Sequence, residues 1–111
     1  MATQEELMGA LRQWTAKLDD PAVKGKFAGF NKTLQFDFTD QEFKMRMVFI
    51  DQTCELKEGG VDNPDIVITT ASDVIMGITE KKVKPLLAFM TGKLKAKGNK
   101  LDMLKIQLLM K

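Results

Sequence analysis

Leu34-Gln35-Phe36-Asp37-Phe38-Thr39-Asp40-Gln41-Glu42-Phe43-Lys44-Met45-Arg46-Met47-Val48-Phe49 alternates twice between apolar and polar side chains. In the first run Leu34, Phe36 and Phe38 share one face, and Gln35 and Asp37 take the other. In the second, Phe43, Met45, Met47 and Phe49 point inward, with Lys44, Arg46 and Val48 outward. A period of two marks half-buried strands. Asp40-Gln41 supplies a turn between them. Asp51-Gln52 supplies the next, after which Thr53–Lys57 carries Cys54 and Leu56 on the inward face. Three short strands joined by tight turns predict an antiparallel meander with one wet face. Asp37, Lys44, Arg46, Glu55 and Lys57 are placed to pair across that face, at ~0.2–1 kcal/mol per contact.

Working outward, Thr3-Gln4-Glu5-Glu6 reads as a capping box, and Leu7, Leu11, Trp14 and Leu18 form one helical stripe behind it. Asp19-Asp20-Pro21 is expected to stop that helix. Downstream, Gly59–Pro64 is a loop and Asp65–Thr70 a fourth strand with Ile66 and Ile68 on one face. Ser72-Asp73 opens a short helix carrying Val74, Ile75 and Ile78. Pro85 opens another, which ends at Gly92. Lys93–Lys97 alternates as a fifth strand, Gly98 turns, and Asn99 caps a last helix running to near Lys111. The predicted order is α-ββββ-αα-β-α. A sheet with one polar face predicts a two-layer α+β fold: five strands, mostly antiparallel, covered by helices on the apolar face. At 111 residues the chain is expected to be one domain over 1–111.

Composition excludes several functions. There is no histidine, which removes Ser-His-Asp and Cys-His catalysis and His-ligated metals. The single cysteine, Cys54, rules out an internal disulfide and a thiolate zinc site, and fits a reducing, cytoplasmic compartment. Cys54 itself reads as a small core residue. No metal, cofactor or catalytic residue is expected, and the chain is read as a non-enzyme. The acidic start, Thr3–Glu6, is not that of a signal peptide, and no apolar run reaches membrane-spanning length.

The net charge of +2 conceals an asymmetry. Residues 1–80 carry 8 basic and 14 acidic groups, whereas residues 81–111 carry 9 lysines and one acid, Asp102. That distribution suits an anionic partner. Nucleic acid is not expected, because the basic segment has no arginine and one aromatic ring, Phe89. An anionic membrane surface remains, beside the plainer reading of solvated lysines paired with acids elsewhere.

The apolar inventory exceeds what a plain core asks for. There are 8 methionines, Met45 and Met47 among them on an inward strand face. Methionine adapts to variable apolar shapes, and it also fills gaps in ordinary cores. Seven of the ten residues Leu101–Met110 are apolar and spread around the whole helix. Such a helix is either buried or touches something besides its own sheet. Two classes follow: a lid over an apolar cavity, or an accessory module using this helix as a dimer or partner interface without a ligand.

The segment Ala88-Phe89-Met90-Thr91-Gly92-Lys93-Leu94-Lys95-Ala96-Lys97-Gly98-Asn99 resembles the hallmark of the sterol carrier protein type-two family. There an Ala-Phe pair ends a short helix, a Gly-Lys-Leu-Lys strand follows, and a Gly-Asn or Gly-Asp turn opens the final helix. Asn63–Ile68 resembles its aspartate-led fourth strand, and Ser72-Asp73 its next helix; the likeness covers roughly residues 25–110. Lys84 stands where the family often has Asn or Asp before the proline, and Leu109-Met110-Lys111 is not a peroxisomal address. The resemblance implies an apolar tunnel between sheet and helices that binds fatty acids, acyl-CoA, phospholipids or sterols, with no catalytic residue. From the apolar positions we expect its lining among Met45, Met47, Phe49, Ile66, Ile68, Ile75, Ile78, Leu87, Met90, Leu94, Leu101, Leu104 and Leu108, several of them plain core. Lys93, Lys95 and Lys97, with Lys81, Lys82, Lys84 and Lys100, are the candidates for holding an anionic head group or touching a membrane.

Overall fold

In the computed structural model, which describes residues 2–110, the two alternating runs form β1 (Thr33–Phe38) and β2 (Phe43–Ile50), followed by β3 (Thr53–Glu58). Their register sets Leu34 opposite Met47, Phe36 opposite Met45 and Phe38 opposite Phe43. The first four of these are fully buried. Asp51 and Gln52 both have positive φ, as a two-residue hairpin turn matching the strand twist requires. β4 (Ile66–Thr70) pairs with β1 in parallel, and β5 (Leu94–Lys97) pairs antiparallel to β4. The order is β3-β2-β1-β4-β5, a five-stranded α+β sheet with one parallel pair.

That parallel pair obliges the chain to return along the sheet between β3 and β4. Residues 59–65 do so across the outer face. The Val61 N–H donates to Gln35 Oε1 at 2.9 Å, and Arg46 Nη1 donates to the Glu58 carbonyl at 2.7 Å. Gly60 sits so close that a Cβ there would lie 2.7 Å from Gln35 Oε1. Gln35, expected on the wet face, is therefore buried, with its Nε2 donating to Asp37 Oδ1 at 2.8 Å.

α1 (Gln4–Ala16) starts at the reciprocal Thr3–Glu6 capping box and buries Leu7, Leu11 and Trp14. The chain does not simply stop at Asp19-Asp20-Pro21. A 3-10 turn over Lys17–Asp19 leads into a short α2 (Pro21–Gly25), with Asp20 capping it and Pro21 in its first turn. Beyond α2, Phe27 stacks on Phe49 at 5.6 Å between centroids, and Phe30 meets Phe49 edge-on at 5.2 Å. Trp14 and Phe36 approach to 5.8 Å. These rings fill the interior between β1–β2 and the N-terminal helices.

α3 (Ser72–Thr79), α4 (Pro85–Met90) and α5 (Lys100–Met110) complete the helical layer. Ala71 cannot cap α3, so Asp40 in the β1–β2 turn does. Its Oδ1 accepts from the Ser72 N–H at 2.9 Å, and its Oδ2 accepts from the Ser72 hydroxyl. Those bonds favour the charged form and hold the Asp40 carboxyl below its ordinary pKa. Asn99 Oδ1 accepts from the Leu101 N–H at 2.8 Å and caps α5. Asp102, nearly buried, accepts from Lys32 Nζ at 2.6 Å, which ties α5 to the start of β1 and raises the lysine's pKa.

Gly98 makes the β5–α5 turn with φ +147°, and a Cβ there would lie 2.9 Å from the Asp65 carbonyl oxygen. The obstacle is backbone and cannot rotate away. Gly98→Ala is expected to cost ~2 kcal/mol or more, because the native φ disfavours any side chain. Thermal unfolding followed by circular dichroism checks this; an unchanged midpoint refutes it.

Candidate functional site

The helical layer does not close on the sheet at the β4–β5 end. There α4 and α5 bound a pocket of about 340 Å³. Ile66 and Ile68 of β4 and Leu94 and Ala96 of β5 form its floor; Ile68 and Ala96 are direct cross-strand partners. Pro85, Leu86 and Phe89 of α4 form one wall, and Met103, Leu104, Ile106 and Met110 of α5 form the other. Lys100 and Gln107 are the polar side chains of the lining. Leu86, Phe89 and Leu104 line the pocket yet are 56%, 48% and 60% exposed, so they are its rim, and the pocket is open to solvent. An enclosed 300 Å³ void would cost on the order of 7 kcal/mol. An open mouth lets water in and avoids most of that penalty.

Of the residues expected to line a cavity, the structure brings Ile66, Ile68, Leu94 and Leu104 together in this wall. Met45, Met47, Phe49, Ile75 and Ile78 are fully buried in the core. For the β2 residues the reason is strand order: β1 separates β2 from β4 and the pocket floor, and Phe27 and Phe30 pack on Phe49. Ile75 and Ile78 are instead buried residues of α3. Leu87, Met90 and Leu101 are exposed and outside the lining, at 56%, 72% and 70%. Leu108 packs against the core. Lys93, Lys95 and Lys97 are exposed, and none lines the pocket; with Leu94 and Ala96 turned inward, alternation puts Lys95 and Lys97 on the outer face of β5. Sequence reasoning missed Ala96, Pro85, Leu86, Phe89, Met103, Ile106, Gln107 and Met110. Only Ala96 had a usable signal, its alternation with Leu94.

The pocket's lining offers an amine and an amide, but no carboxylate, thiol or hydroxyl side chain. Cys54 lies on β3 at the opposite edge of the sheet, and burial pushes its thiol up to about 12, keeping it protonated and unreactive at neutral pH. Among the described residues no buried polar side-chain atom lacks a partner, and no helix is long and apolar enough to cross a membrane. The lining is thus an apolar wall with one cation, Lys100, beside it.

A mixed five-stranded sheet roofed by helices, with an apolar pocket under the last of them, defines a class of small α+β binding domain. Residues 11–111 match the SCP-2 sterol transfer family, and the chain belongs to it. The fold is similar to sterol carrier protein 2 from Yarrowia lipolytica, at 22% identity over 89% of this chain and 84% of that one, TM-score 0.65. It is also similar to sterol carrier protein 2-like 2 from Aedes aegypti, at 14% identity over 91% and 93% of the two chains, TM-score 0.70. A sec-alkylsulfatase from Pseudomonas contains a similar portion: 17% identity over 78% of this chain, TM-score 0.66. This chain spans 14% of that enzyme's length. No curated protein sequence matches.

Proposed function

We infer that this chain is a non-enzymatic carrier of long-chain lipids, taking their hydrocarbon into the α4–α5 pocket. Membership of a sterol transfer family supports lipid as the cargo. The observation that carries the reading is the apolar pocket itself, about 340 Å³ in volume with a half-exposed apolar rim. Fatty acids, acyl-CoA, phospholipids and sterols are the candidate classes. Lys100 on the wall favours a carboxylate or phosphate head over a bare hydroxyl. The single cysteine, which allows no internal disulfide, suits a reducing, cytoplasmic setting.

Each buried methylene contributes ~0.8 kcal/mol, so about ten of them supply ~8 kcal/mol before the cost of association. At ~30 Å³ per small group, the share a water molecule takes in the liquid, the pocket holds on the order of eleven carbons. Longer chains then leave their surplus at the mouth. Adding fatty acids of increasing length to lipid-stripped protein is expected to raise Tm progressively, and to level off near twelve carbons, by mass action on the folded state. Differential scanning fluorimetry reads the series. A response that is flat across chain lengths counts against the carrier.

A further inference from the structure

Eight large apolar side chains are conspicuously exposed, and six of them gather on α4 and the first half of α5: Leu86, Leu87, Phe89, Met90, Leu101 and Leu104. The pocket opens among them, and three of the six form its rim. The segment from Lys81 to Leu101 carries seven lysines and no acid. Five of these adjoin the apolar group in the chain: Lys81, Lys82 and Lys84 lead into α4, Lys93 follows it, and Lys100 opens α5. Among the described residues none of the seven forms an ion pair.

An apolar surface of this kind needs an occupant, and charge selects it. A second copy of the chain, docked about a two-fold axis, would set this patch against itself. Lysines would then face lysines with no acid in the segment to answer them. A lipid bilayer with anionic head groups answers both features at once, because the leucines, Phe89 and Met90 enter the boundary layer while the ammonium groups meet phosphates.

We propose that the exposed faces of α4 and the start of α5 dock this protein on anionic membranes, pocket mouth down, so that an acyl chain passes between bilayer and pocket without crossing water. This docking rests on the carrier reading for its purpose but not for its measurement. Leu87 and Met90 lie outside the pocket lining, so they separate the two functions.

The test is flotation of the whole 111-residue chain with phosphatidylcholine vesicles containing none or about 30% phosphatidylglycerol, at low and high salt. Alongside it, binding of a soluble fluorescent fatty acid is measured without vesicles. The protein is expected to float with the anionic vesicles at low salt and to be released by high salt. Leu87→Asp/Met90→Asp is expected to weaken vesicle association tenfold or more, as about two apolar side chains leave the boundary layer. Lys82→Glu/Lys84→Glu is expected to weaken it by about 25-fold, at about fivefold per lysine near the surface. Leu87→Asp/Met90→Asp keeps fatty-acid binding within twofold, because neither residue lines the pocket. Equal binding to neutral and anionic vesicles, no binding to either, or a concentration-dependent dimer lost in Leu87→Asp/Met90→Asp overturns the docking proposal. Failure of the fatty-acid arm in the unmutated protein overturns the carrier reading and leaves the docking result standing on its own.

Discussion

Replacing Ala96 by tryptophan raises the melting temperature of lipid-stripped protein while weakening acyl-chain binding about a hundredfold; this is the expected result, and the two opposite signs are its point. Ala96 projects from β5 into the pocket floor beside its partner Ile68, at the edge of the sheet and away from the packed core. An indole there occupies ~100 Å³, and filling a void of that size returns at most ~2 kcal/mol. The open mouth reduces this to ~1 kcal/mol, about 4 °C for a domain of this size. The same indole displaces about four methylenes of a bound chain, ~3 kcal/mol at ~0.8 kcal/mol each, a loss of roughly a hundredfold in affinity. A fluorescent fatty-acid titration and a thermal melt on the same sample check both. If affinity is unchanged, the chain is held elsewhere. If affinity and melting temperature fall together, the substitution has damaged the fold and the pocket assignment loses its support.

The strands were readable because a period of two has a fixed phase: once Leu34, Phe36, Met45 and Met47 are inward, every neighbour's face follows. α1 was readable for the same reason, since Leu7, Leu11 and Trp14 leave one stripe with polar flanks. α2 escaped because Asp20-Pro21 ends one helix and begins another; an N-cap aspartate followed by proline in the first turn is a start signal as much as a stop. The parallel β1–β4 pair and the loop laid over Gln35 are long-range choices, and no local pattern encodes them. The pocket divides in the same way. Ile66, Ile68 and Leu94 followed from strand alternation. α4 and α5 are apolar nearly all round, so they carry no phase, and Leu86 could not be told from Leu87 nor Phe89 from Met90. Met45, Met47 and Phe49 share the inward face with the pocket floor. Only the strand order says which part of that face lies under aromatic rings and which under α5.

Strand order therefore makes a second strong prediction: Phe49 carries the fold and not the ligand. Its ring is 1% exposed and is held between Phe27 and Phe30. Phe49→Ala removes most of that cluster's contact and leaves a cavity, a cost of ~3–5 kcal/mol. Against a total of about 5–15 kcal/mol for small domains, this takes about a fifth of the stability or more. At about 4 °C per kcal/mol, the expected fall in Tm is roughly 12–20 °C. Below the lowered transition, fatty-acid affinity is expected to stay within about twofold, because β1 intervenes between β2 and the pocket floor on β4. Should Phe49→Ala fail to fold, Phe49→Leu keeps most of the volume at a smaller cost and permits the same comparison. An affinity that collapses in a variant whose circular dichroism remains native would instead make Phe49 part of the binding wall. The acyl chain would then have to reach past β1 into the aromatic cluster, and the α4–α5 pocket would be only the entrance to a longer channel.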